Sequence, residues 1–183
     1  MTQNTAWRNV ERAIENLKEE GVLTPQGLRE VEESSLAELI RPAGYYNVKA
    51  KRLKSLMEFL DRGYGGDLRK MFTEPLSSLR AKLLAVKGIG PETADSILLY
   101  AGEKPIFVID AYTRRILSRH GMITDGALYG DIQDLIIRNL PQDVPLYKEY
   151  HALFVQLAKT FCKTKPLCTG CPVEKGWPTS SGK

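Results

Sequence analysis

Two glycines flank a single isoleucine and run straight into a proline at Gly88-Ile89-Gly90-Pro91, inside the stretch Leu83 to Ala94. The glycines open backbone conformations that other residues avoid, while Ile89 anchors the turn in a core. Pro91 suits a first helical position, where its missing N–H would have had no partner anyway. The segment therefore reads as the end of one helix, a hairpin of four or five residues, and the start of the next. Backbone amides from Gly88 to Glu92 would then face outward at a helix N-terminus, an arrangement that suits a phosphate. Glycine turns of this kind also serve purely steric ends in helical hairpins, so the function depends on what surrounds this one.

Helical periodicity dominates the chain. Trp7, Val10, Ile14 and Leu17 form an apolar stripe, with Thr2, Asn4 or Thr5 as candidate cap and Gly21 as stop. Thr24-Pro25 starts a second short helix and Ser35 to Ile40 a third, followed by a turn through Arg41-Pro42-Ala43-Gly44-Tyr45-Tyr46. From Asn47 to Arg62, Val48, Leu53, Leu56, Met57 and Leu60 read as inward-facing. Lys49, Lys51, Arg52 and Lys54 occupy the other sides, as a solvated face or as phosphate contacts. Gly63, Gly65 and Gly66 break that helix, and Asp67 to Phe72 allows one or two further turns.

The hairpin helices span about Ser77 to Ala85 and Pro91 to Ala101. Pro105 to Ile109 is an apolar run too short for a buried helix and reads as an extended connector. Asp110 stands where an N-cap belongs, ahead of Ala111 to Leu117, and nineteen residues lie between it and Gly90. Further helices cover roughly Gly126 to Leu140 and Val144 to Phe161. In the last, Leu146, Tyr150, Leu153, Leu157 and Phe161 are expected on the core face. No strand ladder and no fixed-period repeat is evident. The fold class expected is all-α.

Hydrophobic content of 43% with 26% charged residues is that of a globular protein, and a net charge of +4 permits a polyanionic partner without demanding one. No apolar run approaches the span of a bilayer and Met1 to Asn4 is no signal peptide, so a reducing cytoplasm is the default location. Three cysteines, Cys162, Cys168 and Cys171, fall within ten residues, an odd set that argues against a disulfide framework.

Taken together, Ile40-Arg41-Pro42-Ala43-Gly44-Tyr45-Tyr46, Gly88-Ile89-Gly90-Pro91-Glu92-Thr93-Ala94-Asp95 and Val108-Ile109-Asp110-Ala111-Tyr112-Thr113 resemble the endonuclease III branch of the helix–hairpin–helix (HhH-GPD) DNA glycosylases. The likeness runs from Gln3 to the last cysteine and is strongest to bacterial 3-methyladenine glycosylase-type members. It implies two helical lobes with a DNA-binding cleft between them. Residues 22–121 would form the central lobe, with the helix–hairpin–helix at 77–101. Residues 1–21 plus 122–183 would form the second, with a cysteine loop at 162–177. It also implies a monomer, associated with the nucleoid through double-stranded DNA containing a damaged base, and extrusion of that base into the cleft.

The resemblance assigns roles residue by residue. Gly88, Ile89 and Gly90, with Lys87, Glu92 and Thr93 around them, would hold a backbone phosphate. Gln3 matches a glutamine that fills the gap left by the extruded base, although a surface glutamine near a chain end has a duller explanation. Asp110 matches the catalytic aspartate, whose anion suits the oxocarbenium character that develops as an N-glycosidic bond breaks. A plain N-cap is the alternative. Glu92 stands where bifunctional relatives carry a lysine that forms a Schiff base. A carboxylate forms no imine, so hydrolysis without a lyase step is expected; an acid favoured by the helix dipole is the structural reading.

Tyr45 and Tyr46 are candidates for the cleft or for the core. Arg114 and Arg115 are ambiguous between DNA and structure, and His120 and His151 read as structural. Relatives bind a [4Fe–4S] cluster through four cysteines in a loop like Cys162-x5-Cys168-x2-Cys171, but the fourth position here is Trp177 and the first gap is one residue shorter. A cluster on three thiolates, a zinc site or a metal-free loop are the alternatives. Relatives also have at least one more helix ahead of the Gln3 segment, and it supplies part of their base pocket. The activity expected is release of an alkylated purine. Alternatives are oxidised pyrimidines or mismatches with lyase activity, or a catalytically silent DNA-binding module.

Overall fold

A computed structural model describes residues 2, 3 and 5–174. Among these residues the chain forms ten α-helices, one 3-10 turn and one π-helical turn, with no strand. No helix among them is long and apolar enough to cross a membrane. Two compact units are present, Met1–Gly90 and Pro91–Lys183, and the boundary falls within the glycine hairpin.

The first unit contains α1 (Trp7–Glu19), α2 (Pro25–Glu30), α3 (Glu33–Leu39), a 3-10 turn (Arg41–Ala43), α4 (Tyr46–Tyr64), α5 (Leu68–Phe72) and α6 (Leu76–Leu84). Ala13, Leu17, Leu36, Ala37, Ile40, Ala43 and Ala50 make its main core. Thr24 caps α2 through the Gly27 amide at 2.9 Å, and Asp67 caps α5, as Ser/Thr/Asp residues at helix starts do. Helix α1 begins after Ala6 with no side-chain cap, and Trp7 is exposed rather than part of the inward stripe. Tyr45 takes a left-handed conformation (φ 47°) with its ring exposed, while Tyr46 lies under the Arg41 guanidinium.

The basic face of α4 divides in two. Lys49 is buried, donating to the carbonyls of Ala43 (2.6 Å) and Gln3 (3.0 Å), and Lys54 donates to those of Arg29 and Val31. The carbonyls of Ala43, Gln3 and Val31 are buried or half-buried at these contacts, and such groups are costly to leave unpaired. Lys51 and Arg52 stay exposed, and Val48, expected inside, is half exposed.

In the hairpin, Ile89 is buried and its amide donates to Val86 at 3.0 Å, while Lys87, Gly88 and Gly90 are exposed. Gly88 has φ +87°, and a Cβ there would stand 2.5 Å from Cγ of Arg52. A Gly88→Ala variant is therefore expected to lose about 1–2 kcal/mol in denaturant unfolding. Adding Arg52→Ala should recover only the steric part, because the left-handed strain remains.

The second unit contains α7 (Pro91–Ser96), the π-helical turn (Ile97–Ala101), α8 (Ala111–Arg119), α9 (Tyr129–Asn139) and α10 (Val144–Thr160). The expected single helix from Pro91 to Ala101 thus changes its winding at Ile97, and the Gly102 amide closes the wide turn on the Ile97 carbonyl at 3.0 Å. The connector is extended as expected, with Ile106, Phe107, Val108 and Ile109 all buried. Helices α8 and α10 pack together through Ile116, Ala158 and Cys162, with Tyr112, Phe154 and Leu157 against them. The core-facing residues of α10 are Tyr147, Phe154, Ala158 and, as expected, Leu157. Tyr150 and Leu153, expected inside, are exposed.

Candidate active site

The second unit gathers its polar side chains around the start of α8. Asp110 caps the helix as expected: its Oδ1 accepts from the Thr113 amide at 2.7 Å. Its second oxygen, Oδ2, lies 3.5 Å from Nε2 of His151 on α10. The other ring nitrogen of that histidine, Nδ1, is 2.6 Å from the hydroxyl of Tyr100, which stands on the π-helical turn. Burial works against the charged form of Asp110, but His151 and the Thr113 amide outweigh it and hold the carboxyl below its ordinary range. The group is therefore ionised at neutral pH.

Glu92, in the first turn of α7, belongs to the same electrostatic neighbourhood. Its carboxyl is shifted upward, chiefly by burial and then by the negative charge of Asp110, with His151 opposing. Tyr100 is shifted upward by the same two causes, burial and the Asp110 charge. Two acids of one unit are thus pushed in opposite directions, the pattern by which proteins divide acid and base roles.

A second polar network holds the approach to Asp110. Asp95 is wholly buried and accepts from Tyr129 Oη (2.8 Å) and Gln133 Nε2 (2.7 Å). Gln133 also donates to the Phe107 carbonyl at 2.6 Å, and the Ile109 amide donates to Tyr129 Oη at 3.2 Å. The connector leading into Asp110 is therefore tied at two points to one buried carboxylate.

Of the residues singled out in the sequence, Asp110, Glu92 and Thr93 lie in the second unit, and Thr93 is half-buried. Gln3, Lys87, Gly88, Ile89 and Gly90 lie in the first. There Gln3 is exposed and accepts at Oε1 from Arg52 Nη1 at 3.3 Å, and the stem of the same arginine packs on Gly88. Arg114 and Arg115 resolve as structural: they donate to the carbonyls of Ala127, and of Cys162 and Ala158. His151 sits beside Asp110, where its reading as merely structural did not place it. The usable signal was its spacing on the stripe Tyr147, His151, Phe154, Ala158.

The three cysteines are not gathered. Cys162 is buried with its sulfur 3.3 Å from Arg119 Nη1, Cys171 is half-buried and Cys168 exposed. Among the described residues no three His, Cys, Asp or Glu side chains converge as a metal cage. Trp177 lies outside the described residues. The thiols as arranged do not fit an iron–sulfur cluster. The loop is tied instead by Arg119, which donates to the carbonyls of Lys163 and Thr164.

In this all-helical chain a glycine hairpin leads into a helix bearing Glu92 and Asp95, and a third acid, Asp110, caps the helix beyond. Residues 1–142 match the HhH-GPD superfamily base excision DNA repair proteins, and the chain belongs to that family as a DNA glycosylase of base excision repair. It is 51% identical over 177 residues to MJ1434 of Methanocaldococcus jannaschii, a protein assigned as a DNA repair glycosylase, covering 96% of this chain and 80% of the relative. Endonuclease III of Sulfolobus acidocaldarius is 29% identical over 174 residues, covering 94% and 75%. The crystal structure of H. pylori 3-methyladenine DNA glycosylase (MagIII) bound to 1,N6-ethenoadenine superposes with a TM-score of 0.74 at 30% identity, over 86% of this chain and 80% of that one.

Proposed function

We propose that the chain is a monofunctional DNA glycosylase that hydrolyses the N-glycosidic bond of an alkylated purine extruded from double-stranded DNA. The observation that carries this reading is the pair Asp110 and Glu92, an anchored anion beside an acid with raised proton affinity. As the bond to the base lengthens, positive charge grows on the sugar, and a fixed carboxylate in a partly water-excluded site stabilises it far better than one in bulk water. Asp110 supplies that charge and orients the attacking water. Glu92, with its upward-shifted carboxyl, suits a hydrogen-bond donor.

An N3- or N7-alkylated purine carries a positive charge, so its base departs neutral with no protonation. Such a substrate asks for no proton donor at the base. The relatedness to a 3-methyladenine glycosylase supports the same class. The exposed amides of Gly88 and Gly90, with Lys87 and Thr93, would hold the DNA backbone, and Gln3 would stand in for the extruded base. The protein would act as a monomer on DNA in the cytoplasm or nucleoid.

The test is a panel of duplexes carrying alkylated purines, oxidised pyrimidines and mismatches, assayed for free base with and without alkali. Alkylated purine should be released fastest, with strand breaks only after alkali. Release of an oxidised pyrimidine or a mismatched thymine instead would replace the substrate class. Binding without any release would make the chain a silent DNA-binding module.

Borohydride treatment of the reaction is expected to trap no covalent protein–DNA adduct, because the Schiff-base lysine is replaced by Glu92. Efficient trapping would overturn the monofunctional reading. Lys148, whose Nζ lies 6.0 Å from the Tyr100 ring centre, would be the amine to replace first.

A further inference from the structure

Two cations of α4 converge on Gln3. Lys49 is 8% exposed and donates to the Gln3 carbonyl at 3.0 Å and to that of Ala43 at 2.6 Å. Burial first, and then the nearby charge of Arg52, hold its amine below the ordinary lysine range. An ammonium group is costly to bury unless it is well bonded, so these contacts tie the backbone of Gln3 firmly to α4. The side chain is held separately: Gln3 Oε1 accepts from Arg52 Nη1 at 3.3 Å. The stem of that arginine lies across Gly88, where a Cβ would meet its Cγ, Cδ and Nε at 2.5, 3.1 and 3.2 Å. Within the first unit, Arg52 therefore reaches from the exposed hairpin glycine to an exposed glutamine.

The chemistry of the pair decides which end of the amide is committed. A guanidinium has N–H donors and no acceptor, so only the carbonyl oxygen of Gln3 can bond to it. With that oxygen turned to the protein, a base edge arriving beside Gln3 meets the amino end, Nε2, which donates. Without Arg52 the amide could turn either end outward.

We propose that Arg52 is a positioning residue that makes Gln3 a hydrogen-bond donor toward the base left without a partner, and so selects duplexes in which that base is a pyrimidine. The inference rests on Gln3 standing in for the extruded base. Cytosine turns the adjacent acceptors N3 and O2 toward the gap, and thymine turns O2 and O4. Guanine turns O6 as its acceptor but also N1–H and the N2 amino group, so a donor brought there leaves N–H groups facing N–H groups. An alkylated purine stands opposite a pyrimidine, and this readout of the undamaged strand agrees with that substrate class. An amide able to turn would instead pair with guanine through both ends, Oε1 to N1–H and Nε2 to O6. The distinction would then vanish.

Binding to duplexes that carry a tetrahydrofuran abasic-site analogue opposite each of the four bases decides the matter. Such duplexes have a gap to fill and no base to release. The quantity read is the ratio of Kd opposite guanine to Kd opposite cytosine, and Gln3→Ala supplies the baseline that owes nothing to the amide. The wild type should exceed that baseline about five- to tenfold, in line with the net free energy of a single hydrogen bond. Arg52→Ala should fall to within about twofold of the baseline. Arg52→Gln should fall as far, although it keeps a stem over Gly88 and a hydrogen bond to Gln3, because it both donates and accepts. Both variants should fold as the wild type does, since Arg52 is exposed.

Retention of the wild-type ratio by either arginine variant overturns the inference. A role for Arg52 confined to phosphate contact or to structure gives that result, weakening all four duplexes alike. A wild-type ratio at the baseline overturns it too, and if Gln3→Ala binds every duplex more weakly, Gln3 still fills the gap without reading it. Gln3→Ala that binds all four as tightly as the wild type removes Gln3 from the gap, and the inference with it. Each of these failures leaves Asp110 and base release untouched, because this assay releases no base.

Discussion

Asp110→Asn is expected to fall about 100- to 1000-fold in base release while folding and binding DNA as the wild type does. The substitution separates two jobs held by one side chain. Asparagine caps a helix about as well as aspartate, so the bond from the Thr113 amide at 2.7 Å survives and stability should move by a few tenths of a kcal/mol. The anion does not survive. The neutral carboxamide that replaces it offers no charge to an oxocarbenium-like sugar and no base to a water, and it meets His151 without an ion pair. Asp110→Ala loses the cap as well, at a further cost of about 1 kcal/mol. Parallel melting curves and single-turnover assays on both variants separate the two losses. Base release by Asp110→Asn at the wild-type rate would reduce this aspartate to a helix cap.

Asp95→Ala should produce the largest loss of stability, about 3 kcal/mol, or roughly 10 °C in melting temperature for a chain of this size. The carboxylate is fully buried and takes hydrogen bonds from Tyr129 and Gln133. Its removal takes the acceptor from a buried Gln133 amide N–H, an orphan that costs about 1–3 kcal/mol, and from the half-buried Tyr129 phenol as well. The damage extends to the chemistry, because Tyr129 also receives the Ile109 amide and Gln133 holds the Phe107 carbonyl. Loosening them frees the connector immediately ahead of Asp110, so base release should fall even at temperatures where the variant is folded. Asp95→Asn keeps acceptor capacity and should lie between. A melting temperature for Asp95→Ala within about 2 °C of the wild type would show that the network carries no such weight.

Much of this arrangement was written in local signals. A glycine–isoleucine–glycine–proline run has few ways to fold, and Asp110 ahead of an amphipathic segment announces its own cap. The helix starts at Thr24 and Asp67 and the extended connector follow from the same chemistry. What escaped was set by tertiary packing. Helix α10 carries apolar or aromatic residues on nearly every side, so its phase was ambiguous. The stripe through Tyr150 and Leu153 looked as good as the one through Tyr147 and Phe154 that faces inward. With the phase wrong, His151 fell beside the core stripe instead of on it. Lys49 escaped for a similar reason: an amine is read as solvated unless carbonyls from distant turns converge on it, and Gln3 and Ala43 do. The role of Asp95 has no local signal, because its partners stand on α9.

The wide turn at Ile97–Ala101 holds one residue more than the α-helical winding would need. Shortening the segment by one would let α7 continue as regular helix, and backbone hydrogen bonding would lose nothing. The side chains within the turn would nevertheless change their places around the axis, Tyr100 among them. The phenol would then move away from the imidazole, and His151 Nδ1 would lose its partner at 2.6 Å. A regular helix would be easier to form in this stretch. The surplus residue marks where this chain keeps an irregular backbone in order to aim one hydroxyl.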